Sequence, residues 1–413
     1  MNRRNFLQNS AIGLSAFGIP QLANCAEQAH NDKSILFLFL HGGASIVESF
    51  NPIMDMPAEF RSTIGDVKTN VPGIYLGGAF QKLANHADKM SICHNFKHRD
   101  ANHGSAQHWV TTGHADFKLL EGQNQSEPCM GSLATKQYGD IGENLLPTYV
   151  KVNKGAHDNA AWLGSKYMGY QIDNDGVKNL QLSISPERFN RRLEIVNLIE
   201  ERNKLKGQHL SKSWSDLRNL AADIMLGDAA NTFDIAKCSN SDKVRYDVEK
   251  NNFGRNMLLA RKSIEKGVKF TSVTHFGWDM HSDIANSFMR AGTEIDNYLS
   301  VFIEDLVRLN LLDKTLIVIT SEFSRTRLTA AMGKDHNPNI VPLTFIGGTN
   351  NNGRIIGKSS KDSLSVDGKS YEPKDLLWTM GDFLGIDRKL VINDHLNRPR
   401  HIFDDSANNI LRS

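Results

Sequence analysis

The sequence predicts an α/β protein with a doubly wound, mostly parallel sheet and a helical insertion. Three observations carry that expectation. Short runs that are apolar at nearly every position recur along the chain, longer segments of helical period separate them, and polar clusters follow the apolar runs directly. Strands apolar on both sides suit a sheet covered on both faces, and their alternation with helices argues for parallel order.

The chain opens on an address. Met1 to His30 reads as an export signal, with paired Arg3 and Arg4 before Phe6 and Leu7, a weakly apolar stretch from Ala11 to Ala23, and small residues after it. The arginine pair resembles a twin-arginine signal, which implies the twin-arginine translocon as a partner during export and the periplasm as destination. An amphipathic helix at the start of a cytosolic protein is the alternative reading, and Cys25 offers a lipoprotein anchor as a minor variant.

The expected domain runs from 31 to 413. Its first strand is Ser34 to Leu40, broken by Gly42 and Gly43. Phe80 to Ala87 has helical spacing, Met90 to Cys93 is a short strand, and His103 to Thr112 reads as a helix stopped by Gly113. Pro147 to Val152 is a third strand. A helical insertion covers about 185–266, and strands return at Val268 to Thr274, Leu316 to Thr320 and Val341 to Ile346, with a long helix from Ile284 to Asn310 among them. Gly347 to Ser370 reads as hairpins or loops, and Pro373 to Leu384 as the last helix.

Composition excludes several classes. At 413 residues, 40% hydrophobic and 23% charged, the chain is globular rather than disordered or fibrous. The longest apolar runs are strand-sized, far below the ~20 residues of a membrane span, so no transmembrane segment is expected. The net charge of +2 falls to zero once residues 1–25 are removed, which argues against nucleic acid as a partner. If Cys25 leaves with the signal, Cys93, Cys129 and Cys238 remain without CxxC spacing, so a thiolate zinc cluster is not expected and at most one disulfide can form.

Ligands of an open parallel sheet sit beyond the carboxyl ends of its strands. Polar clusters stand at four such ends: His41, Ser45 and Glu48; His98, Asp100, His103, Ser105 and His108; His275, Asp279 and His281; and Ser321, Glu322 and Arg325, with Asp335 and His336 beyond. Imidazole and carboxylate together are the ligand set of zinc and related metals. Asp279 and His281 alone also suit a surface loop. The start of the His103 helix directs unpaired amides outward, which favours an anion, although Asn102 or Ser105 as a simple cap is the commoner use. Arg325 either clamps a tetrahedral anion or holds Glu322 in an ion pair.

The segments His41 to Ser45, Ala260 to Val268, Trp278 to His281, Thr320 to Thr326 and Gly333 to His336 resemble the exported bacterial domain-of-unknown-function family 1501, placed in the alkaline phosphatase/sulfatase superfamily. The similarity runs in order from about Ser34 to Phe403. It implies a fold of alkaline phosphatase/sulfatase type with one or two metals at strand ends and a nucleophile at a helix start, here at His103 or Ser105. Glu322 is similar to a metal carboxylate, Asp335-His336 to the segment with the later metal histidine, and Asp279 and His281 to a further ligand pair. Phe323 stands where many superfamily members carry a metal histidine, and Glu48 and Asn51 replace acids usual in the first loop.

The expected function is therefore an exported metal-dependent hydrolase of phosphate or sulfate esters, acting on a small anionic ester or a sulfated or phosphorylated glycan. The divalent metal, zinc first and manganese or calcium as alternatives, is assigned to Asp279, His281, Glu322, Asp335 and His336, with His41 and Glu48 as outer candidates. His103 and Ser105 are assigned to attack or assist, and Arg325 to the anion. The alternative is a metal- or ligand-binding envelope protein of the same fold without turnover.

Overall fold

A strand with leucine, isoleucine or phenylalanine at every inner position can only be stable with both faces covered, and Ser34–His41 is buried along nearly its whole length. The computed structural model describes residues 32–412 apart from 121, 122, 124, 143–145, 154, 156–158, 173–183 and 206–228. The expected export signal, Cys25 and the middle of the expected insertion lie outside the described residues.

The main strands are β1 (Ser34–His41), β2 (Met90–Cys93), β3 (Tyr149–Val152), β4 (Tyr170–Ile172), β5 (Phe270–Phe276), β6 (Thr315–Thr320), β7 (Ser324–Leu328), β8 (Lys334–Asn337), β9 (Leu343–Gly347) and β10 (Arg354–Ile356). Eight of them form one sheet in the order β10-β2-β9-β6-β1-β5-β3-β4, while β7 and β8 make a separate hairpin. β9 runs antiparallel to β2 and β6, and every other neighbouring pair in the sheet is parallel.

The longer helices are α1 (His103–Thr112), α2 (Met130–Tyr138), α3 (Pro186–Leu205), α4 (Asn252–Glu265), α5 (Ile284–Arg308) and α6 (Pro373–Leu384). Side chains alternate across a strand, so β1 feeds two cores. Leu36, Leu38 and Leu40 pack with Met257 and Leu258 of α4 and Ile295 and Leu299 of α5. Ile35, Phe37 and Phe39 pack with Met130 and Leu133 of α2 and Leu376 and Met380 of α6. α4, the C-terminal part of the expected insertion, thus covers the sheet itself.

Several strands differ from expectation, among them Tyr170–Ile172, which was not foreseen and pairs with β3. Arg354–Ile356, expected within loops, pairs with β2 and closes that sheet edge. The β7–β8 hairpin was not foreseen, because Ser324–Leu328 and Lys334–Asn337 are too polar to show strand alternation. Among the described residues no disulfide joins Cys93, Cys129 and Cys238.

The parallel register positions the chemistry. Leu40 lies opposite His275, His41 opposite Phe276, and Phe39 opposite Thr320, so the chain leaves three adjacent strands at one rim. Gly42 follows at φ +120, and a side chain there would come within 2.4 Å of the Asp279 backbone nitrogen, so only glycine lets these two loops meet.

Candidate metal centre

Four segments converge at the rim. α1 brings His103 at its first position, with the Asn102 side chain accepting from the Gly104 amide at 3.0 Å and Gly113 closing the helix at φ 78. The loop after β5 brings Asp279 and His281. The hairpin brings His336 on β8, opposite Arg325 on β7. The segment after β6 brings Glu322.

Asp279 is the hub. Its Oδ1 lies 2.9 Å from Nε2 of His281, 3.3 Å from Nε2 of His336 and 3.6 Å from Nε2 of His103. The two nitrogens Nε2 of His281 and His336 face each other at 3.1 Å. Each ring is anchored by its other nitrogen. Nδ1 of His103 donates to Oε1 of Glu322 at 2.8 Å, Nδ1 of His281 to Oδ1 of Asp335 at 3.0 Å, and Nδ1 of His336 to the Ala101 carbonyl at 2.8 Å. Carboxylates and carbonyls only accept, so Nδ1 of each ring donates there, and a cation held against Asp279 would find the three Nε2 atoms on its side as lone-pair donors.

This donor set fits a divalent cation. Ligands about 2.0–2.1 Å from a tetrahedral zinc lie roughly 3.3–3.4 Å apart. The separations of 2.9, 3.1, 3.3 and 3.6 Å bracket that value. The ligand atoms of His103, Asp279 and His336 all fall within 4.8 Å of one another. Three carboxylates, Asp279, Glu322 and Asp335, surround the cluster against the single guanidinium of Arg325, a balance that favours a cation.

The electrostatics keep both central acids ionised. Burial works to raise the Asp279 carboxyl, but the hydrogen bond and charge of Arg325, then His103 and His281, hold it below its ordinary value. Burial likewise opposes ionisation of Glu322, and the His103 hydrogen bond and the charge of His41 outweigh it. For His336, burial and then the nearby Arg325 lower the imidazole, which favours the neutral ring a metal requires.

Several expected residues take other roles. Glu322 is fully buried, and its Oε1 already accepts from the Gly42 amide at 2.8 Å, from His103 and from Nε2 of Gln107 at 3.2 Å. It orients His103 rather than facing the centre, and Asp335 does the same for His281. Glu48 is not an outer ligand: it is buried in an ion pair with Nζ of Lys334 at 2.9 Å. The ring of His41 stacks on His103 at 6.5 Å between centroids, and its Nε2 lies 2.8 Å from the Gln107 amide nitrogen, so it flanks the cluster.

Arg325 does not clamp an anion. It has no exposed surface, and its fork donates to the carbonyls of Gly43 at 2.7 Å, Lys334 at 3.0 Å, Trp278 at 3.1 Å and Gly42, and to Asp279 at 2.6 Å. Those loops leave the strands with carbonyls pointing inward, and the five-donor guanidinium satisfies them together. Ser105 is buried in α1, and no hydrogen bond joins it to the cluster among the described residues.

His103, assigned to attack or assist, stands with its Nε2 3.6 Å from Oδ1 of Asp279, among the atoms that could hold a metal ion. Gln107 escaped notice in the sequence, although it stands four residues after His103 and so shares its helix face. Phe323 is buried against the rings, stacked on His336 at 4.3 Å and 4.9 Å from His103. An apolar ring there leaves no donor for a second ion on that side.

Similarity to solved structures is low in sequence. The chain is similar to the lipoteichoic acid synthase LtaP from Listeria monocytogenes, at 12% identity and TM-score 0.42, covering 92% of this chain and 76% of that one. It is similar to the PsFucS1 sulfatase from Pseudoalteromonas sp., at 12% and 0.41, covering 89% and 71%. A third is the C-terminal periplasmic domain of EcEptC from Escherichia coli in complex with Zn, at 10% and 0.39, covering 87% and 84%. No curated protein sequence matches the chain. At the level of sequence families the match is continuous over residues 32–412, which includes every side chain of the cluster, and on it the chain belongs to the family described as protein of unknown function DUF1501.

Proposed function

We propose that this protein is an exported, single-ion hydrolase of phosphate or sulfate esters, with His103, Asp279, His281 and His336 as the ligands. The observation that supports this most is the set of three imidazoles, each pinned through Nδ1 so that Nε2 faces Asp279. Pinning of this kind is what fixed metal ligands need.

When bound, a divalent ion such as zinc supplies Lewis acidity toward an ester oxygen and makes hydroxide available near neutral pH. The chain's own groups prepare the place. Glu322 and Asp335 hold the proton on Nδ1 of His103 and His281, and Phe323 excludes water from one side of the rings. The start of α1 turns the positive end of its dipole toward the substrate anion. Arg3 and Arg4 before Phe6 and Leu7 support export through the twin-arginine translocon to the periplasm.

The test is release of chromophore from aryl phosphate and aryl sulfate by the purified protein with added Zn²⁺, Mn²⁺ or Ca²⁺. Turnover that depends on the ion and falls at least about 100-fold in Asp279→Asn and His103→Ala is the expected result. One observation favours the second reading, a metal-holding envelope protein without turnover: Ser105 and Arg325, assigned to attack and to anion binding, are both withdrawn from the cleft. Ion binding without release of either chromophore would establish that reading.

A further inference from the structure

Ring contacts lead away from the histidine cluster. Phe276, three residues before Asp279 and 51% exposed, sets its ring 4.9 Å from that of His41, which in turn stacks on His103. On the far side of Phe276 lies a pocket of about 420 Å³ between the end of β5 and the outer face of α5. That volume is within the ligand-pocket range of about 300–1,000 Å³. Gly277 forms part of the lining, and the direction a side chain would take there is open space.

The lining is built of hydrogen-bonding groups. Arg290, Thr293, Glu294, Asn297 and Tyr298 from α5 face it. Glu294 is fixed by a chain of contacts. The indole N–H of Trp278 can only donate, and it donates to Nδ1 of His275 at 3.0 Å, so the proton of His275 is on Nε2. That Nε2 donates to Oε2 of Glu294 at 2.9 Å, while Asn251 donates to Oε1 at 2.5 Å. Glu294 is therefore a positioned acceptor, held from behind by the tryptophan that precedes Asp279.

Charge narrows the ligand. Arg290 and Glu294 are of opposite sign, and Asp247 takes the hydrogen bond of the Tyr298 hydroxyl, so the pocket does not favour a second anion. Mixed donors and acceptors beside an exposed aromatic face suit a neutral, hydroxyl-rich ring: the hydroxyls meet the polar wall and the C–H face meets Phe276. We infer that this pocket is a saccharide subsite, which takes the sugar of an ester presented to the metal cluster and so rests on the hydrolase reading above.

The experiment separates the two. Saturation-transfer NMR with the unesterified disaccharides cellobiose, lactose and chitobiose, on the purified protein stripped of metal, reads the pocket alone. At least one of the three is expected to bind the wild type and His103→Ala, and to bind Phe276→Ala and Asn297→Ala at least about tenfold more weakly. Phe276 is half-exposed, so its truncation spares the core. Absence of binding by all three, or binding unchanged in both variants, overturns the subsite. Release from aryl esters is measured independently, so ester turnover without saccharide binding removes only the subsite, and saccharide binding without ester turnover removes only the hydrolase reading.

Discussion

Nδ1 of His103 and Oε1 of Glu322 lie 2.8 Å apart although 219 residues separate them in the chain. The glutamate is fully buried and is reached by the Gly42 amide and Gln107 as well. This contact decides which nitrogen of His103 carries the proton, and with it the direction in which the ring can hold a cation. Glu322→Gln keeps the shape but ends the one-sided acceptance. Zinc affinity, measured by competition with a chelator, is expected to fall about 10–100-fold, against a larger loss for Asp279→Asn.

Removal of Arg325 should act on folding. Arg325→Met leaves four backbone carbonyls without a donor and Asp279 without its neutralising partner. A loss of more than about 3 kcal/mol is expected in urea unfolding, and Arg325→Lys should recover little of it, because one ammonium cannot span the fork. Near-wild-type stability for Arg325→Met would show that its donors are dispensable.

The Glu48 and Lys334 pair gives a sharper contrast. Both side chains are buried, and their contact at 2.9 Å ties the loop after β1 to the hairpin that carries His336. Glu48→Ala alone is expected to cost about 3–5 kcal/mol by stranding the ammonium, while Glu48→Met with Lys334→Met restores most of it. After exposure to zinc, the double variant should take up as much of the ion as the wild type on elemental analysis. Loss of metal with full stability would return Glu48 to the ligand set.

Two buried histidines should set the acid limit of the fold. Burial pushes His94 and His98 down to about 4, against partial opposition from their hydrogen bonds to the carbonyls of Phe50 and Glu322. The unfolded chain binds these protons first, from about pH 6.5 downward, so stability is full above that value and declines as pH falls toward 4. Each histidine accounts for up to about 3 kcal/mol of the decline. Unfolding free energies for wild type and His94→Asn at pH 7.5 and 4.5 should show a shallower pH dependence in the variant; parallel curves would mean that His94 does not titrate with folding.

Much of the architecture was legible in the residues themselves. The strand at Ser34–His41, the helix stopped by Gly113 and the helix Pro373–Leu384 each rest on local chemistry: apolar runs, a left-handed glycine, proline at a helix start. The meeting of Asp279 and His281 with the segment after Thr315–Thr320 was legible too, because polar clusters directly after neighbouring parallel strands leave the sheet at one rim. The hairpin was not, since its strands are held by Arg325 and backbone contacts rather than by an apolar stripe.

The sequence by itself determined that histidines and acids would gather at the carboxyl end of a covered sheet, because apolar periodicity and strand polarity are properties of short segments. Only the tertiary structure decided which of them face the centre. Glu322, Glu48 and Arg325 look as suitable on paper as Asp279 does, but a carboxylate's role depends on which donors reach it first. Those donors, from Gln107, Lys334 and the Gly42 amide, come from distant parts of the chain that only folding brings within hydrogen-bond range.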